Sequence, residues 1–436
     1  MIQTIRKAWG VPELRKKILF TLMILVIYRL GSAIPVPYVN VQLLSDYLDS
    51  MGTTILGLYN VMSGGAFAQA TVFALGIQPY INSSIIIQLL TVAIPALERM
   101  QREGGEEGKK KIQSITRYST VAIAFLQALG YFFILKRGFN GMSMLTSDTI
   151  WAALVIMVSW VAGSSFLMWL GEQCNEFGVG NGISMILFAG IISRVPSMIT
   201  GMYNGLVAGT MPWWLILLAV VGILALVVLI VFVNDAERRI PVQYAKRQVG
   251  RKMYGGQTSN LPMKVNMSGV LPIIFAQSIA TIPATIGAFL PAPAEDTFGY
   301  AVLNAIDSKS VLYLLIYFVL IIGFSYFYAS IQFNPVEISN NLKRNGGFIP
   351  GFRPGRPTSD FISRVLNKIT LFGALYLGIV AILPLIADKI STAVTKQVTT
   401  LGIGGTSVII VVGVALETVK ALENQMLMRQ YKGFLD

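Results

Sequence analysis

Titratable and nucleophilic side chains are where chemistry would start, and this chain is poor in them. It has no histidine and one cysteine, Cys174. The lack of histidine removes imidazole acid–base catalysis, histidine metal sites and histidine haem ligation together. A single thiol cannot form an internal disulfide, and no cluster of Cys and carboxylates offers zinc its ligands. The stretch Gly104-Gly-Glu-Glu-Gly-Lys109 superficially resembles a phosphate-binding loop. It lacks the required frame and the Ser or Thr after the lysine, so it reads as a polar turn. No catalytic residue, metal site or cofactor is expected.

The apolar stretches are nearly free of charge. Arg29, Arg194 and Glu417 come nearest to the middle of one, and each sits toward an end. Ion-coupled transporters place Asp or Glu at mid-membrane, and intramembrane proteases need paired carboxylates, a Ser/His pair or metal ligands. Neither set is present. What remains polar is amide and hydroxyl: Gln78, Asn82, Ser83, Ser84, Gln88, Gln127, Gln277 and Ser278. Such groups either bond one membrane helix to the next or line a seam that is at times wet. Residue type leaves both open.

These side chains need elements to hold them. The chain has 436 residues, 54% hydrophobic and 13% charged, whereas a soluble domain is about 25% charged. A chain this long can bury a core without such an excess, so the surplus belongs on a lipid-facing surface. Ten runs are long enough for membrane helices of roughly 20 residues. They cover 18–35, 74–95, 117–136, 150–171, 183–200, 213–233, 270–290, 311–331, 368–387 and 403–421. The run from Trp213 to Val233 contains no charge at all, which rules out a buried soluble helix there. Residues 1–17 are basic and amphipathic and lead into the first run without a small-residue cleavage site, so that run reads as a first span and not a cleavable signal. The fold class expected is an all-α polytopic membrane protein.

The net charge of +13 is explained by its distribution. Arg6, Lys7, Arg15, Lys16 and Lys17 precede span one; Arg99, Arg102, Lys109, Lys110, Lys111 and Arg117 follow span two. Arg238, Arg239, Lys246, Arg247, Arg251, Lys252 and Lys264 follow span six, and Lys343, Arg344, Arg353, Arg356, Arg364 and Lys368 follow span eight. The alternate loops are nearly bare: 36–73 and 201–212 carry no Lys or Arg. Positive charge stays inside, so both termini are expected in the cytoplasm. Loops 234–269 and 332–367 are longer than connections require. They either dock a partner or are plain solvated loops obeying the charge rule.

Residues 55–73, between spans one and two, are apolar, rich in small residues and interrupted by Gly64-Gly65. An apolar segment too short to span is either buried in protein as a re-entrant element or laid on the outer interface.

Several motifs, in order and spacing, resemble the SecY family. They include Phe73-Ala-Leu-Gly-Ile-Gln-Pro-Tyr-Ile-Asn-Ser-Ser-Ile-Ile-Ile-Gln-Leu-Leu90 in span two and Gly178-Val-Gly-Asn-Gly-Ile-Ser184 before span five. Arg238-Arg-Ile-Pro-Val-Gln-Tyr-Ala-Lys-Arg247 and Leu261-Pro-Met-Lys-Val-Asn266 precede span seven. Asn334-Pro-Val-Glu, Gly346-Gly-Phe-Ile-Pro-Gly-Phe-Arg-Pro-Gly355 and Gly404-Gly-Thr-Ser407 complete the match. The resemblance implies ten helices in two pseudo-symmetric five-helix halves, 1–210 and 211–436, forming a protein-conducting channel without enzymatic activity. Unfolded secretory polypeptides and their signal sequences would cross it or leave sideways into the lipid bilayer, between spans two/three and seven/eight. Its place would be the bacterial cytoplasmic membrane.

Carried over by motif, the family's pore ring falls on Ile81, Ile85, Leu187, Ile191, Ile274 and Ile410. Ile81/Ile85 and Leu187/Ile191 are i, i+4 pairs, so each pair shares a helix face. A collar of branched alkyl groups dewets and so resists ions, yet yields to a passing chain. The family's plug corresponds to about 58–73, with Leu58, Gly64, Gly65, Phe67 and Phe73. The lateral gate's polar residues are then Asn82, Gln88, Gln127 and Gln277. The two long loops correspond to the docking surface for the motor ATPase SecA and for the ribosome, whose RNA phosphates attract Lys and Arg. Arg353 matches the family's key arginine there, with Arg238, Arg239, Lys246, Arg247, Arg251 and Arg356 around it. The small membrane subunits SecE and SecG are the other implied partners. One departure stands out: Phe177 occupies a position where the family commonly has Arg or Lys. A secondary transporter and a non-conducting insertion scaffold are the competing readings. The first lacks its membrane carboxylate.

Overall fold

The structure is a computed structural model that describes residues 2–51, 60, 63–138, 142–209, 212–244, 247–249, 252–254, 258–267, 269–289, 310–395 and 405–432. Each of the ten apolar runs contains a helix. Spans one to five are Pro12–Gly31, Gln78–Ala93, Gly105–Arg137, Ile150–Phe177 and Gly182–Ser193. Spans six to ten are Trp213–Asp235, Leu271–Phe289, Val311–Gln332, Arg356–Thr395 and Gly405–Lys432. By length and composition alone, six described helices could cross a membrane, seven if a bent pair counts as one. Span one falls short of that standard because its helix includes Glu13, Arg15, Lys16, Lys17 and Arg29.

Local chemistry sets the breaks. Span two stops at Ala93 and a short helix, Pro95–Arg102, leaves it at 105°. Pro95 has no N–H to continue the ladder but suits the first turn of a new helix. Span five, expected over 183–200, has a local break at Arg194, where the helix Gly182–Ser193 gives way to Val195–Val207, which begins with proline in its first turn and buries no residue; Gly182–Val207 together is long and apolar enough to cross a membrane. Asn181 caps span five by accepting from the backbone N–H of Ile183 and Ser184. Spans three and nine run beyond their apolar cores as polar helix, from Gly105 and from Arg356 respectively.

Packing falls into two groups. Span two packs on three, three on four, four on five, and one on four and five; span seven packs on eight, eight on nine, nine on ten, and ten on six. Between the groups, span ten meets span five and span seven meets spans two and three. The N-terminal helix Ile2–Trp9 lies along span ten, where Thr4 Oγ1 donates to Glu423 Oε1 at 3.0 Å.

The long loops are not irregular. β1 (Glu237–Tyr244) pairs antiparallel with β4 (Thr258–Lys264), and β5 (Gly347–Phe348), from the other loop, pairs with the far end of β1. A separate hairpin, β2 (Arg247–Val249) with β3 (Lys252–Tyr254), lies between them in the chain. The β1 signal is period two: Ile240 and Val242 are buried, while Pro241 and Gln243 are exposed. The membrane part is therefore all-α, with strands confined to these loops among the described residues. Ile240, Val242, Met263, Ile349, Ile362 and Leu366 share one apolar cluster, so the two loops and the start of span nine form one body.

Candidate pore constriction, closing segment and loop platform

The six alkyl residues come from four helices and meet in one buried apolar cluster. Ile81 is 6% exposed, Ile85 3%, Leu187 4%, Ile191 7%, Ile274 6% and Ile410 2%, and the cluster also contains Ile77 and Phe73. Helix geometry selects them from identical neighbours: Ile85 and Ile87 are buried, while Ile86 between them is 46% exposed. The six side chains themselves carry no polar or titratable group, so none of the six can bind an ion or hydrogen-bond a passing peptide.

Residues 63–77 pass beside this cluster. The chain there is a series of turns and not a regular helix, with Gly64 at φ +68°, Gly65 at φ +90° and Gly76 at φ +58°. It is buried in protein, which separates the two sequence readings: Ala66, Phe67, Ala70, Thr71, Phe73 and Ala74 are all buried. Leu58 lies outside the described residues.

The segment's bonds reach several spans. Tyr28 of span one donates to the Ser63 carbonyl at 3.2 Å, and Ser193 of span five donates to the Gly64 carbonyl at 3.4 Å. Tyr131 of span three donates to the Phe67 carbonyl. Thr71 bridges Pro35, with Val36 N–H to Ala70 carbonyl and Val72 N–H to Ile34 carbonyl both at 3.0 Å. Phe73 stacks on Tyr28 and on Phe166, each at 6.2 Å between centroids.

The polar residues divide. Ser83 is interhelical glue, donating to the Thr116 carbonyl of span three at 2.8 Å. Gln78 Nε2 donates to Ser278 Oγ at 3.4 Å and so joins span two to span seven across the two groups. Gln277 is buried beside Ser278 in the chain, and Asn82, Gln88 and Gln127 are half-buried. The Asn82 and Gln127 side-chain oxygens are enclosed and accept no hydrogen bond from the protein, a sign of a site that water can satisfy.

One ion pair escaped the sequence reading because its partners lie in different runs. Arg117 of span three holds Glu172 of span four with Nη2–Oε2 at 2.9 Å and Nε–Oε1 at 3.0 Å, and Gln113 adds a bond to Oε1 at 3.1 Å. Nothing local to either residue signalled it. The strand β1 was more legible, through the alternation around Ile240.

On the loop body, Arg238, Arg239, Arg353 and Arg356 are exposed. Arg239 is paired with Glu237 at 2.6 Å. Lys246 and Arg251 lie outside the described residues; Arg247 opens β2, and its side chain is likewise outside them. Arg353 sits on a stiff turn. Its carbonyl accepts from Thr358 Oγ1 at 2.8 Å, Ser339 Oγ donates to the Gly355 carbonyl at 2.7 Å, and Phe352 stacks on Phe361 at 4.2 Å. The backbone is thus held while the guanidinium faces solvent. Phe177 is half exposed and meets Phe20 edge-on at 5.9 Å.

The family model described as SecY matches residues 71–419. The chain is 44% identical to "Protein translocase subunit SecY" of Streptomyces scabiei over the full length of both, and 39% identical to that of Aquifex aeolicus (strain VF5), again over both full lengths. In three dimensions it resembles a solved protein-conducting channel, with a TM-score of 0.66, 16% identity, and 94% of this chain and 92% of that chain covered. It also resembles Sec61 from the canine ribosome–channel complex, with a TM-score of 0.58, 15% identity, and the same coverage. A family model spanning most of the chain and full-length relatives well above the threshold of chance place this protein in the SecY family.

Proposed function

We propose that this chain is the channel-forming subunit of a protein translocase: a passive pore that passes unfolded polypeptide through its centre and releases apolar segments sideways into lipid. The observation that carries the reading is the meeting of Ile81, Ile85, Leu187, Ile191, Ile274 and Ile410, from four spans, in one buried apolar cluster. Alkyl groups offer no fixed hydrogen-bond partner, so such a collar tolerates any sequence while resisting ions. The segment through Gly64, Gly65, Phe67 and Phe73 closes the path on one side. The two packing groups act as the halves 1–210 and 211–436. Their seam, where Gln78 meets Ser278, opens for lateral exit, and Asn82, Gln88, Gln127 and Gln277 tolerate the water that enters.

The driving force comes from outside. The exposed arginines of the loop body present Arg353 and its neighbours to SecA or to a ribosome, and the small subunits SecE and SecG complete the complex. The setting is the bacterial cytoplasmic membrane with both termini in the cytoplasm, a reading that the Lys and Arg distribution supports. The direct test is a stalled secretory chain with photo-crosslinkers placed at Ile81 and Ile274. Adducts at both positions support a central path; adducts only at lipid-facing positions such as Ile86 refute it.

A further inference from the structure

We infer that Tyr131, near the C-terminal end of span three, is a positioning residue for the closed channel: it clamps the closing segment at Phe67 and thereby seats Gly64 against the helix that carries Ile191. This deepens the proposed function and rests on residues 63–73 being the closing element.

Tyr131 grips one residue in two ways. Its ring stacks on the Phe67 ring with centroids 4.2 Å apart and planes at 15°, and its other face meets Trp160 of span four at 4.4 Å and 18°. Its hydroxyl donates to the carbonyl oxygen of the same Phe67. Side chain and main chain are therefore fixed together, and all three rings are buried. The column belongs to a cluster separate from the one holding the six constriction residues.

The two clusters are linked by the short stretch from Phe67 back to Gly64. Phe67 N–H donates to Ser63 Oγ at 3.1 Å, and Ala68 N–H to Asn60 Oδ1 at 3.0 Å, so the stretch is cross-braced. At its far end the Gly64 carbonyl accepts from Ser193 Oγ, and the Gly64 Cα faces Gly190, the residue before Ile191. A tilt of Phe67 is passed toward the helix face beside the constriction through this bracing, in which Gly65 N–H also donates to the Asn60 carbonyl at 2.9 Å. The column therefore acts on the pore without touching it.

The test uses the complete complex with its small membrane subunits, reconstituted in vesicles, and reads ion leak per channel without a motor. Tyr131→Phe keeps the stack but removes one of the two donors to the Phe67 carbonyl, leaving only the Ala70 N–H at 3.1 Å, and should raise leak about fivefold. Tyr131→Leu removes stack and bond together and should leak more than Tyr131→Phe. A merely structural role would lower thermal stability without opening the pore. Ile362→Ala, in the buried core of the loop body, supplies that comparison: at a matched loss of thermal midpoint it should leak like the parent. Equal leak from Ile362→Ala and Tyr131→Leu overturns the inference, as does an unchanged leak from Tyr131→Phe and Tyr131→Leu when Ile410→Gly leaks. If Ile410→Gly is also tight, the constriction itself has been misplaced and this inference falls with it.

Discussion

Replacing Gly64 with alanine separates backbone strain from steric contact at the closing segment. Gly64 adopts φ +68°, where an L side chain costs about 1–2 kcal/mol. A Cβ there would also lie 2.8 Å from Ser193 Oγ, 2.9 Å from the Gly190 carbonyl oxygen and 3.0 Å from Gly190 Cα. The serine hydroxyl can rotate, but the Gly190 atoms are main chain and move only with span five. Overpacking of this kind adds roughly 1–3 kcal/mol. Gly65 is the built-in control: its φ is +90°, yet nothing lies within 4 Å of its would-be Cβ. Gly65→Ala pays strain alone. If both penalties fall on the seated segment, each 1.4 kcal/mol multiplies the unseated population about tenfold. Gly64→Ala should therefore exceed Gly65→Ala in resting leak by about five- to a hundredfold. Reconstituted channels read by single-channel recording, or by dissipation of an imposed potential, supply the assay. Equal leak from the two variants, or more from Gly65→Ala, refutes the seating of Gly64 on span five.

Other outcomes follow from the same geometry. Ile85→Gly or Ile410→Gly removes a buried alkyl group from the apolar cluster and should raise ion conductance of the resting channel; conductance equal to the parent would count against the constriction. Arg353→Glu reverses an exposed charge on a turn whose backbone is held by Thr358 and Ser339, so it should abolish SecA-driven translocation while assembly with SecE persists. Normal translocation would end that assignment. Glu172→Gln leaves Arg117 without its bidentate partner. Glu172 is 9% exposed and Arg117 47% exposed, so water screens part of the loss and the cost should be about 1–2 kcal/mol. A lower thermal midpoint in detergent, largely restored by pairing it with Arg117→Gln, is the expected result; additive losses would show that the two side chains are not coupled.

Much of this protein was legible before any coordinates. Twenty-residue apolar runs suit membrane helices, and each of the ten runs contains a helix. Pro95 and Asn181 set helix ends by chemistry that acts within one turn, a signal present in the sequence that the reading by apolar runs passed over. The alternation at Ile240 and Val242 even carried the strand that the long-loop description passed over. Each of these signals is local: it depends on a residue, its few neighbours and the solvent.

Tertiary structure decided what met what. Ile85, Ile86 and Ile87 are the same residue three times over, yet two are buried and one faces outward. The pairing of Arg117 with Glu172, the sheet that joins the two loops, the stack of Phe67 on Tyr131 and the burial of residues 63–77 all depend on which spans became neighbours. The physical reason lies in the solvent. An alkyl side chain is as comfortable in lipid as against another helix, so hydropathy determines which residues leave water. Which of them converge on one narrow junction is settled by close packing of helix faces and by the few polar groups that need partners.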